Sequence, residues 1–294
     1  MTGLILLDKP ADMTSFLACS VVRGISKEKH VGHTGTLDPM ATGVLPILLG
    51  KATALSQYLT VADKRYTAVV KPGVTTDTFD TTGNILSTDD NIPSRAEIER
   101  VVASSEGLQT QTPPIFSAIQ VDGRRLYDIA RSGGEVEIPK REITIHSVKI
   151  TNFFPDGSFE LDVHCSKGTY IRSLANDIGK ALGCGAALSG LRRTVTAGFP
   201  IERCVSLDTL RAEGVEPYLI PPQEAVPDMP RISVTQKQAV RFTNGGQLSC
   251  ERLTFADIKS GDAVAVMLGD VMLGVGVISD DMRELCPKTV IKKI

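Results

Sequence analysis

No excess of charge marks this chain: 32 Lys and Arg stand against 34 Asp and Glu, a net charge of −2 over 294 residues. Bulk charge therefore points to no nucleic-acid partner, and any positive surface must come from local arrangement. The six cysteines (Cys19, Cys165, Cys184, Cys204, Cys250 and Cys286) are scattered, with no C-x-x-C and no paired spacing. That argues against a zinc site or a disulfide framework and suits a reducing cytoplasm. No segment approaches the roughly 18 apolar residues of a membrane span. The N-terminal MTGLILLDKP also lacks the basic start of a signal sequence. A cytoplasmic location without membrane contact is expected. Internal repeats, low-complexity tracts and the G-x-x-x-x-G-K order of a phosphate-binding loop are missing too. The remaining composition, 42% hydrophobic and 22% charged, is that of a folded soluble chain with length for two domains.

Against this plain background one stretch stands out, VGHTGTLDPMATGVLPILLGKATAL from Val31 to Leu55. Asp38 lies between Gly- and Thr-rich turns, directly before Pro39 and ahead of an apolar run. A residue before proline is pushed into extended geometry, so Asp38 is held out of a helix and can be aimed. Gly32, Gly35 and Gly43 allow left-handed or closely approached backbone around it. No second acid or metal-ligand cluster sits beside it. On these residues alone, a structural turn competes with an acid site; a phosphate nest is disfavoured by the central acid.

Elsewhere the pattern alternates short strands and helices. Leu4 to Leu7 reads as a strand, and Thr14 or Ser15 caps a helix with Leu17, Val21 and Ile25 on its apolar face, Ala18 and Val22 beside them. Val44 to Leu49 is a buried strand, and a helix runs through Ala54, Leu55, Tyr58 and Leu59. Tyr66, Ala68 and Val70 alternate as a strand, as do Phe159, Leu161, Val163 and Cys165. Thr75 to Gly83 is a polar loop. Ser94 and Glu97 make a capping box for a helix carrying Ile98, Val101 and Val102. Gly168-Thr169 opens another, with Ile171, Leu174, Ala175, Ile178 and Leu182 inward. Ile220 to Pro230 holds four prolines in eleven residues, too many for a regular element, and suits an interdomain connection. Beyond it, Thr235 and Gln238 cap a short helix, and Gly269-Asp270 joins two strands of a β-rich tail.

Asp38 needs partners if it is catalytic. Arg172, on the first turn after GTY, is the best candidate to keep it ionised, although spacing alone favours a surface helix residue. Tyr66 and Tyr170 suit stacking on a base, proton transfer or simple filling of the core. His33 suits acid–base work or capping of its own loop, and Leu191 suits an ordinary core. Arg124, Arg125, Arg131, Arg141, Arg192 and Arg193 suit phosphate contacts. Between residues 112 and 145, however, five Lys and Arg meet five Asp and Glu, so that segment is no basic arm.

Taken together and in order, these segments resemble the TruB family of tRNA pseudouridine-55 synthases. KPADMTS (Lys9 to Ser15) resembles the family's K-P-x-G-x-T-S, and GHTGTLDPMATGVLPI (Gly32 to Ile47) its catalytic-aspartate segment. KRYTAVVKPGVTTDTFDTTG (Lys64 to Gly83) carries its active-site tyrosine, and QTPPIFSAIQVDGRRLYDIARSG (Gln111 to Gly133) resembles its RNA-gripping insertion. GTYIRSLANDIG (Gly168 to Gly179) and LSGLRRT (Leu188 to Thr194) follow. Two departures are visible: Asp12 replaces a glycine, which puts the turn after Lys9-Pro10 in doubt, and Gln120 stands where a lysine is usual, which would cost one phosphate contact.

The resemblance implies an α+β fold: a catalytic domain (1–222, with the insertion at about 112–141) on a long, mixed, largely antiparallel sheet flanked by helices, and a PUA-like RNA-binding domain (230–294). It implies isomerisation of uridine 55 in the T loop of tRNA to pseudouridine on a flipped-out base. Asp38, Tyr66 and Arg172 would be catalytic. Tyr66, Tyr170 and Leu191 would shape the pocket, His33 would fill the gap left by the base, and Lys9 and Pro10 would support. No metal or cofactor is implied, and the chain is expected to act as a monomer. The rivals are an RNA-binding module without catalysis, a guide-dependent synthase, which the short tail disfavours, and a nucleoside hydrolase, which lacks a second acid.

Overall fold

The structure is a computed structural model that describes residues 1–117, 120, 121, 123–125, 136–254 and 257–294. In chain order the first half holds β1 (Gly3–Lys9), α1 (Ser15–Ser26), β2 (Val31–His33), β3 (Thr42–Leu49), α2 (Ser56–Thr60), β4 (Lys64–Pro72), β5 (Val74–Thr76), β6 (Ile85–Thr88), α3 (Arg95–Ala103) and β7 (Gly107–Gln111). A small ladder, β8 (Gln120–Val121) with β9 (Arg124–Arg125), precedes β10 (Arg141–Phe153), β11 (Phe159–Cys165), α4 (Ile171–Leu182), β12 (Ala186–Thr196), β13 (Phe199–Pro200), α5 (Leu207–Glu213) and α6 (Pro222–Ala225). The tail is β14 (Arg231–Ser233), α7 (Gln236–Thr243), β15 (Leu248–Ser249), β16 (Ala263–Leu268), β17 (Val271–Ile278) and β18 (Glu284–Val290). Arg131 and the rest of 126–135 lie outside the described residues, as do the side chains of Gln120, Arg124 and Arg125.

A nine-stranded sheet runs β1-β3-β12-β4-β11-β10-β7, with β2 added to β3 and β13 to β12. It is antiparallel throughout except where β12 lies parallel to β3. That junction explains Gly43: its φ is 100°, and a Cβ there would fall 2.2 Å from the Arg193 carbonyl. Gly32, in contrast, has neither a positive φ nor a close neighbour, so any small residue fits there.

Side-chain alternation on the first strand organises both faces of the sheet. Ile5 and Leu7 join Ala18, Val22, Leu174, Ile178, Leu207 and Leu210 in a core under the helices. Leu4 and Leu6 face the other way, into a cluster with Val44, Leu48, Ala265, Met267, Val275 and Ile291 of the tail. Buried on both sides, β1 therefore reads in sequence as an unbroken apolar run. The tail forms its own five-stranded sheet, β14-β16-β17-β18-β15, with a separate core around Ile232, Phe242 and Val264. Its other face completes the core of the larger sheet, so the tail is built in rather than hung on.

Several expectations change at this level. Helix α1 buries Ala18, Cys19 and Val22, while Leu17 is 48% exposed. The segment through Ala54 and Leu55 starts as a 3-10 turn and becomes α-helical only at Ser56. At Ser94 one half of the capping box forms, its hydroxyl accepting from the Glu97 amide, whereas at Thr235 and Gln238 the box is reciprocal. The proline-rich stretch is less irregular than expected. Ile220 pairs with Leu4, and Pro222–Ala225 makes one helical turn, because proline in the first turn forfeits no intrahelical bond. Gly269-Asp270 makes the two-residue turn between β16 and β17.

Candidate active site

The Asp38 loop is fastened from several sides. Ser15, the first residue of α1, takes the Leu37 amide at 2.9 Å and gives its hydroxyl to the Leu37 carbonyl at 3.0 Å. Lys9, fully buried at the end of β1, donates from Nζ to the carbonyls of Pro10 (2.8 Å), Met13 (2.6 Å) and Pro39 (3.2 Å). Its ammonium thus clamps the residue after Asp38, and burial lowers its pKa to about 8. Arg193 is 1% exposed and donates to Val44 O (2.8 Å) and Gly35 O (3.1 Å). It is a buried strut for the loop rather than a phosphate contact. Arg192 likewise pairs with Asp8, at 2.7 and 3.1 Å.

Arg172 is not a surface residue. At 5% exposure it is buried on the first turn of α4. Its Nη2 donates to Asp38 Oδ1 at 3.0 Å, and Nε is 2.9 Å from Oδ2, close enough for an ion pair but not aimed along the N–H direction. Nη1 donates to Thr78 O at 3.2 Å and Nη2 to Phe116 O at 3.0 Å, while Asp80 Oδ2 is 3.8 Å from Nε. The polar stretch expected to be a loop is thus a folded knuckle behind the guanidinium. Asp80 is buried and accepts from the Thr78 hydroxyl and the Thr82 amide. Tyr170 is seated by Gln111, which donates to its carbonyl at 3.1 Å and accepts from its amide at 2.8 Å. The Arg141 guanidinium lies 5.6 Å from the Tyr170 ring centroid, a cation–π contact rather than a phosphate site in this structure.

These groups line one cavity of about 280 Å³ containing Asp38, Tyr66, Tyr170, Arg172 and Leu191 together with Lys64 and Arg193. Burial raises the Asp38 pKa above the usual carboxylate value; Arg172 pulls it back and Asp80 pushes it further up. Burial also raises Tyr66, whose phenol stays neutral at ordinary pH. Lys64 is lowered to about 8, first by burial and then by the charge of Arg193. His33 and Pro10 are not among the lining residues. His33 pairs with Ile47 in β2, and its buried Nδ1 has no hydrogen-bond partner among the described residues. Burial lowers its pKa, so the imidazole is neutral at pH 7. Lys64, Asp80, Gln111 and Arg193 are the site residues that sequence reasoning missed or misread. The double arginine of LSGLRRT was a signal for the last, since a strand turns one of two adjacent residues inward.

A family model described as TruB family pseudouridylate synthase (N terminal domain) matches residues 23–171. A second, the tRNA pseudouridylate synthase B C-terminal domain, matches residues 172–219. The chain belongs to the TruB family of pseudouridylate synthases. Proteins named tRNA pseudouridine synthase B from Clostridium kluyveri and Bacillus subtilis are each 40% identical to it. The first match covers 95% of this chain and 96% of the relative, the second 90% and 89%. The fold aligns with a solved H/ACA RNP bound to a substrate RNA containing 2′-deoxyuridine, at TM-score 0.77 and 25% identity, over 99% of this chain and 85% of that one. A Cbf5-Nop10-Gar1 complex aligns at TM-score 0.76 and 27% identity, with the same coverages. This TruB-family chain is accordingly a pseudouridine synthase, an isomerase that acts on tRNA.

Seen as a TruB motif, the first departure is benign. Asp12 has φ 58°, the left-handed region in which the family's glycine is at home. Aspartate is among the few other residues that enter this region readily, so the turn after Pro10 is kept at small cost. Among the described residues no helix is long and apolar enough to cross a membrane.

Proposed function

We propose that this enzyme isomerises uridine 55 in the T loop of tRNA, with Asp38 acting on a base turned out of the RNA stack. The observation that carries the reading is the Asp38–Arg172 pair facing a cavity that also holds Tyr66, Tyr170 and Leu191. At about 280 Å³ the space lies near the lower end of small-molecule pockets, suited to one base rather than a stretch of duplex. A paired or stacked uridine reaches it only after unstacking, at a cost of a few kcal/mol.

The chemistry needs one positioned carboxylate. The N1–C1′ bond of the uridine breaks, the base turns while still held, and C5 bonds to C1′; C5 then loses its proton, and N1, freed from the sugar, gains one. Asp38 serves as nucleophile toward sugar or base, or as a base on the sugar. Arg172 keeps it ionised against the desolvation of its surroundings. Tyr66, held neutral, packs on the base and passes the C5 proton through its hydroxyl rather than as a standing phenolate. Tyr170 and Leu191 close the walls, Lys9 and Pro10 hold the loop, and neutral His33 is suited to filling the gap in the RNA. The working unit we infer is one chain in the cytoplasm, with residues 1–222 catalytic and the PUA-like tail (230–294) adding grip on the T stem. Recognition by shape of a folded loop requires no surplus of positive charge, in keeping with the net charge of −2.

The test is incubation with an unmodified T-arm hairpin followed by mapping of pseudouridine. Modification at one loop uridine is expected from the native chain. Asp38→Asn should form none while keeping RNA affinity within about tenfold. Full turnover by that variant overturns the role of Asp38, free uracil indicates hydrolysis, and modification outside the loop overturns the site.

A further inference from the structure

Away from the cavity, three residues far apart in sequence meet where the start of β4 and the end of β11 lie beside the middle of β10. Asp63 immediately precedes β4, His164 is the penultimate residue of β11, and His146 lies in β10. Asp63 Oδ2 is 3.1 Å from His146 Nε2 and 3.9 Å from His164 Nε2, and all three potential ligand atoms lie within 4.8 Å of one another. The imidazole rings, 4.7 Å apart at 46°, are tilted rather than stacked, which lets both Nε2 atoms face the same carboxylate.

We propose that Asp63, His146 and His164 form a binding site for a divalent transition-metal ion of the zinc type. Bonds of about 2.0–2.1 Å in a tetrahedral shell put neighbouring ligand atoms about 3.3 Å apart. The two separations to Asp63 lie on either side of that value, so small side-chain rotations suffice. Two imidazoles and one carboxylate suit zinc and its first-row neighbours better than magnesium or calcium, which prefer oxygen. Three protein ligands leave a fourth position for water.

The backbone supplies a second, independent observation. His146 is the extra residue of a β-bulge: Ile145 pairs with Cys165 and Ser147 with His164, leaving His146 without a register partner. Bulges re-aim a side chain, and this one brings His146 beside Asp63. Arg65, in register with His164, does not compete for the site, since it is engaged by Asp162 in a two-pronged pair. An ion here would tie the start of β4, whose Lys64 reaches the cavity, to β10 and β11.

Titration of the full chain with Co²⁺, followed by its visible absorption and displacement with Zn²⁺, tests this. We expect one equivalent bound, a spectrum without thiolate charge transfer, and a rise in thermal midpoint on binding. Lower pH should weaken binding, because imidazole ligates only as the neutral ring. His146→Ala and His164→Ala should each weaken binding by more than about a hundredfold, beyond the 10–100-fold typical of outer-shell changes. Asp63→Asn should weaken it as well, while His30→Ala, an exposed histidine elsewhere, should not. No uptake at about 100 µM Co²⁺, a thiolate band, or unchanged uptake in the His146→Ala/His164→Ala double variant would overturn the proposal.

Discussion

Two carboxylate–guanidinium pairs in this protein have nearly the same chemistry and opposite electrostatics. Asp162 meets Arg65 on the open sheet surface, and Asp38 meets Arg172 in the cavity. The two aspartate side chains are similarly accessible, 26% for Asp162 and 31% for Asp38. Yet the Arg65 hydrogen bond holds Asp162 below the usual carboxylate range, while burial holds Asp38 above it in spite of Arg172. Their surroundings make the difference. Arg65 is half exposed, and Lys149 and His164 add further support to Asp162. Asp38 is at the wall of a concavity, reachable by solvent but enclosed by protein, with Asp80 as a second acid nearby. Contact area is therefore a poor guide to desolvation in a pocket. A carboxylate whose solvation is reduced is the more reactive of the two.

The harshest way to break the comparison is Arg172→Ala. It leaves a partly desolvated carboxylate beside Asp80 with its main counter-charge gone, and loss of one partner from a buried pair destabilises by about 3–5 kcal/mol. Turnover should fall far more than RNA affinity; equal losses in both would contradict its role as charge partner. On the proposed role, in which Asp38 acts as the carboxylate, activity is full above its pKa and lost as pH falls through it. That pKa is already raised, so the acid limb of the native enzyme should lie above the range of an ordinary aspartate. Arg172→Lys, which keeps the charge but loses the fork, should move the limb further up. A limb that stays in place in Arg172→Lys would show that Arg172 does not set the charge on Asp38.

Lys9→Met is expected to act next most strongly. Three carbonyls, of Pro10, Met13 and Pro39, lose their shared donor, at about 1–3 kcal/mol for buried groups left unsatisfied. Denaturant unfolding measures that loss. A fall in turnover larger than the fall in stability would show that the clamp also aims Asp38.

Only the cavity side of this contrast was legible in sequence, and the illegible part has a physical cause. Asp38, Tyr66, Tyr170, Arg172 and Leu191, the residues singled out through the TruB resemblance, line one cavity. The long strands β10 and β12 escaped pattern reading because bulges break their period of two. In β10 the buried positions pass from Ile143 and Ile145 to Val148, the phase slipping at His146. In β12 the register shifts between Leu188 and Gly190, and the inward Arg193 occupies a place where an apolar residue would be sought. Asp80 was illegible because a buried acid in a polar loop looks like any turn residue until its partner, 92 positions away at Arg172, is placed. The Asp63–His146–His164 group was hidden for the same reason, since ligand spacing can be read only where ligands share an element.

The mildest change, Asp162→Asn, sharpens the contrast from the other side. With the Arg65 end in water, the pair is screened and its ordering entropy offsets most of its attraction, so a loss of no more than about 1 kcal/mol is expected at neutral pH. The sign with pH is fixed by the depressed pKa. The pair stabilises the fold while Asp162 is ionised, and this contribution disappears as acid protonates it below the usual carboxylate range. Native and Asp162→Asn proteins should therefore differ slightly in urea midpoint at pH 7 and converge in acid, with pseudouridine formation unchanged. A loss of several kcal/mol, or a marked loss of turnover, would mean that the surface pair is coupled to the cavity through β4, which carries both Arg65 and Tyr66. The two pairs would then be parts of one network rather than two settings of the same chemistry.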